Sequence, residues 1–484
     1  VTLGVAAAGT AVPQSLARRL DRILDADPLT RQFWGVVVAD STGRLVYSRN
    51  AERLFTPAST AKLAVAAAAT VLLGPDWRAT TSLYGTGPVV DGVLQGHLVL
   101  YGRGDPTIGA RCYDVDTTRN GACDRDAFGP LRVLARGLRE QGVRVVAGDV
   151  VGDGSWFDPE VLHPAWEHAD LAWWYAAPVS GLGFAGNSYE LVVTPTVEDA
   201  PAALAVSPEM GALLLENRTR TVRPGARRTL HLVRETLDGA LRLVVSGEIP
   251  ADAPPRTESV AVNDPARYTA LALRRTLAEE GIAVLGRTWS TTDSLLFRSA
   301  RTAALPLAEV RSRPVSDWLF PLLNTSHNWF ADMLFKQVGR QATGIGTWSA
   351  GREVVRRFLV DSVGVDSTQV HLSDGSGLAA TNLIAPTALI RLLAYMRHHP
   401  RASVFLRGFP VAGRSGSLRN RLARSPLEGR VAAKTGTLTG VNGLAGYVER
   451  PRGGPLIFAI LANHHTLGNA MIGVIDSVVA EIGR

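Results

Sequence analysis

Thr56-Pro57-Ala58-Ser59-Thr60-Ala61-Lys62 opens a run of alanine, valine and leucine that continues to Leu73 and stops at Gly74-Pro75. The stretch reads as a helix with Thr56 as N-cap, Pro57 as first residue and Gly74-Pro75 as terminator. Its body is apolar nearly all round, so it belongs at the centre of a domain. Ser59 and Lys62 stand three residues apart and share one helical face. Ser59 falls in the first turn, where free backbone N–H groups and the positive dipole end can steady an oxyanion. A neighbouring amine in a dry site can take the serine proton, which is nucleophilic catalysis without a histidine. S-x-x-K alone occurs by chance in many chains; here it is flanked by a cap and a terminator.

Lysine is scarce. Only Lys62, Lys336 and Lys434 occur, although Lys and Arg together number 51. Arginine keeps its proton, whereas a buried lysine can lose it. Lys434-Thr435-Gly436-Thr437 closes a β-rich run that begins at Val431. A strand edge there can offer an N–H to an oxyanion and main-chain pairing to an extended peptide. Gly436 lets another backbone approach closely. Lys434 and a threonine hydroxyl can hold a carboxylate. Ser326-His327-Asn328 follows a helix end at Leu323-Asn324 and offers a proton relay and an amide clamp. Lys336, in Met333-Leu334-Phe335-Lys336-Gln337, has no such context and is expected to be a solvated helix position.

The 484 residues, 46% hydrophobic and 20% charged, allow two to four globular domains. The net charge of +7 is spread along the chain with no basic block, so there is no nucleic-acid signature. No apolar run reaches the ~18 residues of a membrane span. Val1 to Pro13 is small and apolar; it reads either as the tail of a signal peptide, with Gly9-Thr10-Ala11 as cleavage site, or as a disordered leader. The two cysteines, Cys112 and Cys123, bracket a polar stretch, and one local disulfide is the economical reading in an exported protein. Asp114, Asp116, Asn120 and Asp124 suggest a calcium loop, but the glycine is misplaced and the twelfth position is not acidic. No metal and no cofactor are expected.

Residues 14–25 read as an amphipathic helix, and Phe33–Asp40 and Arg44–Ser48 as a hairpin. From about 80 to 290 short alternating runs suggest β-rich inserts. Helices are expected again at about 315–323, 327–340, 349–362 and 385–398. Two strands, Leu444–Glu449 and Leu456–Asn463, and a helix at about 467–482 end the chain.

S-x-x-K, S-x-N and K-T-G in this order resemble the penicillin-binding proteins and serine β-lactamases. The distance from Ser59 to Ser326 is too long for a compact β-lactamase. The chain resembles the class C low-molecular-mass penicillin-binding proteins, the S13 peptidase family of D-alanyl-D-alanine carboxypeptidases/endopeptidases. Gly104-Asp105-Pro106-Thr107, Gly148–Asp153, Asp374-Gly375-Ser376-Gly377-Leu378 with Asn382, Leu406–Gly413 with Gly416-Ser417-Leu418, and Leu444–Val448 carry the resemblance further. It covers nearly the whole chain from about residue 15. His327 in the variable position, Ser415 where the family often has aspartate, and the Cys112–Cys123 stretch are departures.

The resemblance implies an α/β (α+β) transpeptidase-like domain, with an antiparallel sheet and flanking helices, formed by 1–80 and 291–484. One insert domain would take 81–155 and 255–290, and a nested one 156–254. Ser59 would be acylated by the penultimate D-alanine of a peptidoglycan stem, with Lys62 as base. Ser326, near Lys434, would pass a proton to the leaving amine, and Asn328 would bond the peptide backbone. Thr435 or Thr437, with Lys434 and beside Gly436, would hold the terminal carboxylate. The N–H groups of Ser59 and Thr437 would form the oxyanion hole. Partners would be stem peptides, with D-alanyl-diamino-acid cross-links as endopeptidase substrates, and β-lactams as inhibitors. The place of action would be the periplasm or the extracellular face of the envelope. A β-lactam-hydrolysing or esterase enzyme on the same scaffold is the alternative, which a deacylating glutamate would mark. A non-catalytic scaffold would have no need of both motif lysines.

Asp153, in Gly152-Asp153-Gly154-Ser155-Trp156, is a candidate specificity residue. Flanking glycines are expected to leave its carboxylate accessible to the free amine of a diaminopimelate-type side chain, with Trp156 packing on the stem. The alternative is a turn aspartate bonding its own backbone.

Overall fold

A computed structural model describes residues 15–484 apart from 110–125, 212, 238–239, 304 and 452. The leader and the Cys112–Cys123 stretch, with the disulfide expected there, lie outside the described residues.

A five-stranded antiparallel sheet organises the first unit, in the order Leu45–Arg49, Phe33–Asp40, Leu456–Asn463, Val441–Val448, Val431–Leu438. Strand Phe33–Asp40 is apolar on both sides because each face is covered. Val37 and Ala39 pack with helices Lys62–Leu72, Val315–Leu323, Asn328–Thr343 and Pro386–His398. Trp34, Val36 and Val38 pack with helices Leu16–Leu24 and Ala470–Gly483. All eight residues of Leu456–Asn463 are buried between the two layers. Strand Val431–Leu438 is left at one edge of the sheet.

Helix Lys62–Leu72 is buried from Lys62 through Thr70, as its all-round apolar character requires. Its entry differs from the expected cap. Ser59 lies in a 3-10 turn, Ala58–Ala61, and the α-helix starts at Lys62. The Thr56 N–H is taken by Asn463 Oδ1 at 2.9 Å. Ala58 has a φ of 47°. Tertiary contact is the reason: a Cβ on Gly377 would lie 2.0 Å from the Ala58 carbonyl oxygen, and one on Gly436 2.7 Å from that of Pro57. Two chains press on this turn, and local capping yields to them.

The inserted region builds a second sheet, in the order Thr288–Thr291, Val150–Asp153, Leu98–Gly102, Thr80–Gly85, Ala308–Arg311. Helices Gly129–Glu140 and Pro265–Glu279 share its apolar cluster, and the first of these is not apparent in the alternating pattern. Further out, strands Ser188–Thr194, Ala203–Ser207 and Arg256–Ala261 form one small sheet, and Leu213–Val222, His231–Leu237 and Ala240–Pro250 another. Leu191, Val193, Leu243, Val245 and Ile249 close a separate core between them. Residues 156–179 leave strand Val150–Asp153 and cross the face of helix Asn328–Thr343 with one short 3-10 turn, Trp174–Ala176.

Candidate active site

Helix Lys62–Leu72, helix Asn328–Thr343 and the edge strand bring their motifs to one place. Lys62 is fully buried. Its Nζ donates to Ser59 Oγ at 2.8 Å, to Asn328 Oδ1 at 2.7 Å and to the Ser376 carbonyl at 2.6 Å. Lys434, also fully buried, donates to Ser326 Oγ at 2.8 Å and to the Thr435 carbonyl at 2.8 Å. Gly436 runs so close to the Ser59 turn that a Cβ on it would be 3.2 Å from Ser59 N. Ser59, Ser326, Asn328 and Thr435 are half-buried and Thr437 is exposed, so the cleft between them is open to a ligand.

Burial makes both motif lysines easier to deprotonate than an exposed lysine. It pulls the Lys62 pKa down to about 7, against the opposing pull of Asp332 and Asp374. Burial, and then the charge of Lys62, hold Lys434 well below an ordinary lysine. Asp332 is pushed well up by burial and then by Asp374. Two lysines in one dry cleft disfavour double protonation, so one can serve as base while the other stays cationic.

Ser326 has a φ of 62°, a left-handed conformation that a serine adopts only under constraint. The constraint comes from both sides. Thr325 Oγ1 and the His327 N–H bond the Pro321 carbonyl, and Asn328 begins the next helix.

Further contacts complete the site; Tyr175, Asp332, Trp166 and Asn442 escaped the motif reading, whereas Asp374, Asn382 and Ser417 lie in stretches that carried the resemblance. The Asn328 amide is held at its other end, where Nδ2 donates to the Tyr175 carbonyl at 2.7 Å. Asp332 Oδ1 accepts the N–H groups of Gly375 and Ser376 at 2.8 and 2.9 Å, fixing the turn whose carbonyl meets Lys62. Asp374 accepts the N–H groups of Gly377 and Ala379, the amide of Asn382 and the indole of Trp166. Thr435 Oγ1 donates to Ser417 Oγ at 2.8 Å, and Asn442 Nδ2 to Thr437 Oγ1 at 3.1 Å. Asp332 had one signal, its place one turn after Asn328 on a helix. Tyr175 and Trp166 had none, because their roles depend on a segment arriving from the insert.

Two expectations are corrected. Asp153 is fully buried, not accessible: its carboxylate is ion-paired with Arg301 and accepts the Ser155 N–H at 2.9 Å. It is the backbone-bonding turn aspartate with a cation added. Trp156 donates to Gln337 Oε1 at 3.1 Å and lies under the Arg340 guanidinium. Lys336 is not solvated but has no exposed surface, and it pairs with Asp158 at 2.6 Å.

The geometry can therefore generate an alkoxide at Ser59, relay a proton through Ser326 and seat an anion beside Lys434. A family model described as the D-Ala-D-Ala carboxypeptidase 3 (S13) family matches residues 16–480. The chain belongs to that family. A D-alanyl-D-alanine carboxypeptidase of Actinomadura sp. (strain R39) is 35% identical over 482 residues, 97% of this chain and 84% of the relative. The structure of penicillin binding protein 4 (dacB) from Haemophilus influenzae superposes with a TM-score of 0.80 at 24% identity, covering 96% of this chain and 99% of that one. The same protein complexed with a novel β-lactam gives a TM-score of 0.76 at 23% identity, again over 96% and 99%. These likenesses bear out the transpeptidase-like fold with inserts expected of an S13 member. Among the described residues, no helix is long and apolar enough to cross a membrane, and no group of three or more His, Cys, Asp or Glu could hold a metal ion.

Proposed function

We propose that this S13 serine peptidase cleaves the D-alanyl-D-alanine end of peptidoglycan stem peptides through an acyl-enzyme on Ser59. The observation that carries the reading is the Lys62–Ser59 contact of 2.8 Å, made by a lysine with no exposed surface. Neutral Lys62 Nζ takes the Ser59 proton, and Oγ adds to the carbonyl of the penultimate residue. The N–H groups of Ser59 and Thr437 would receive the oxyanion. Collapse breaks the peptide C–N bond. The leaving amine takes its proton from Ser326 Oγ, which is resupplied from the lysines on either side of the cleft. Lys434, Thr435 and Thr437 would hold the terminal carboxylate, and Gly436 would let the peptide backbone approach. Asn328 would bond the substrate amide. Water then releases the acyl group and restores Ser59.

The same addition opens a β-lactam ring, whose leaving nitrogen stays tethered, so β-lactams would act as slow substrates. D-alanyl-diamino-acid cross-links present the same bond and fit as endopeptidase substrates. Peptidoglycan lies outside the membrane, which puts the place of action at the periplasm or outer envelope surface.

The division of the chain into a discontinuous catalytic unit and two nested inserts belongs to this proposal. Its edges follow sheet membership. Ala308–Arg311 pairs with Thr80–Gly85, which supports a return of the first insert to the catalytic unit after residue 311, later than the expected 291. Residues 156–179 pack on the catalytic helices, so the nested insert would begin near Ser188.

Incubation with a fluorescent penicillin, proteolysis and mass spectrometry test the reading. The label should map to the peptide containing Ser59, and Ser59→Ala should abolish it in a folded protein. A label elsewhere would overturn the assignment.

A further inference from the structure

Helix Asn328–Thr343 carries Asn328, Asp332 and Lys336 at four-residue intervals, which places them along one stripe. The first two face the Lys62 environment. The third is the remaining lysine of the chain, and its surroundings are as closed as those of the other two. Lys336 Nζ donates to Asp158 Oδ1 at 2.6 Å and to the Glu160 carbonyl at 2.7 Å, and it lies 4.5 Å from the centre of the Trp348 ring. A compact ammonium suits this set of a carboxylate, a carbonyl and an aromatic face, whereas a planar guanidinium would not fit it. Its partners lie on the crossing segment of residues 156–179 and on the next helix. The same segment reaches the catalytic groups twice: Trp166 Nε1 donates to Asp374 Oδ2 at 2.9 Å, and the Tyr175 carbonyl receives Asn328 Nδ2 at 2.7 Å.

We propose that Lys336 is a positioning residue for acylation: it clamps the 156–179 segment onto helix Asn328–Thr343, and the clamped segment holds Asn328 and Asp374 in register with Lys62. The proposal rests on the reading of Ser59 and Lys62 given above. The segment has little regular structure of its own; its path is fixed by side-chain anchors together with a few backbone bonds, among them Asp158 N–H to the Gly346 carbonyl and Val179 N–H to the Val161 carbonyl. With the Lys336 anchor lost, the Tyr175 carbonyl can lift from Asn328 and the Trp166 indole from Asp374. The Asn328 amide is then free to turn its Oδ1 away from Lys62, and water reaches the ammonium. A hydrated Lys62 holds its proton to higher pH. The charged groups around Lys62 are Asp332 from the same helix as Lys336, Asp374 from the 374–382 turn and Lys434 from the edge strand. Those around Lys336 are Asp158, Glu160 and His163 from the crossing segment, and Asp332.

The test is the pH profile of acylation by a fluorescent penicillin, measured per active site, for the unmutated enzyme, Lys336→Met and Trp166→Phe. Met fills the lysine's space, and the Asp158 it leaves unpaired has a side chain 21% exposed, so water can take over. The acid limb of the rate should move to higher pH by about one unit in Lys336→Met and in the same direction in Trp166→Phe. A lower rate or a lower active fraction with an unmoved limb would show that Lys336 only stabilises the fold, and would overturn the proposal. If Lys336→Met does not fold, Trp166→Phe decides alone, and an unmoved limb there overturns it. Absence of labelling in the unmutated enzyme would overturn the acyl-enzyme reading and the clamp with it; labelling with an unmoved limb overturns the clamp alone.

Discussion

Lys434 Nζ stands 2.8 Å from Ser326 Oγ, and Ser326 is held at a φ of 62° to make that contact. A side chain in the left-handed region costs about 1 kcal/mol that glycine does not incur. Ser326→Gly is therefore expected to raise stability by up to ~1 kcal/mol, measured by chemical denaturation, while lowering acylation by ~10²-fold or more through loss of the relay hydroxyl. A variant that is both less stable and fully active would contradict the assignment.

The two motif lysines should fail differently. Lys62→Arg keeps a charge but removes the base, and penicillin acylation should fall ~10²–10⁴-fold. Lys434→Arg keeps a cation for the carboxylate and should lose less. Stopped-flow acylation rates of the two variants decide it, and equal losses would argue against the division of labour.

Acylation should rise with pH through the ionisation of Lys62, which burial lowers to about 7. The sign follows from the base: below that pH the amine is protonated and cannot accept the Ser59 proton, and above it the neutral form prevails. A rate that falls as pH is raised from 6 to 8 would exclude Lys62 as the base.

Asp153→Ala should act on the fold and not on substrate choice. It leaves Arg301, 10% exposed, without its buried carboxylate, and breaking such a pair typically destabilises by ~3–5 kcal/mol. Penicillin acylation and peptide turnover per folded molecule should then change together. Selective loss of turnover for peptides with a free side-chain amine would restore the specificity role.

Gly377→Ala should remove acylation. Gly377 has a φ of 77°, and the added Cβ would meet the Ala58 carbonyl oxygen at 2.0 Å, one residue before the nucleophile. Retention of normal labelling would mean that the Ser59 turn tolerates displacement.

What the amino-acid sequence determined by itself is local and periodic. The apolar run after Lys62 reads as a buried helix from its length, its cap and its terminator, and Phe33–Asp40 and Leu456–Asn463 read as strands from their composition, all signals that lie within a few residues. The three catalytic motifs are legible for the same reason: each keeps its functional groups within four residues. Tertiary structure decided everything that depends on a distant partner. Thr56 lost its capping role to the chains that press on the turn at Gly377 and Gly436, Asp153 was closed off by Arg301, and Lys336 left solvent for Asp158. A charge on a helix or beside a glycine carries no record of what will fold against it. Desolvation and pairing energies are set by chain segments that meet only in the folded molecule.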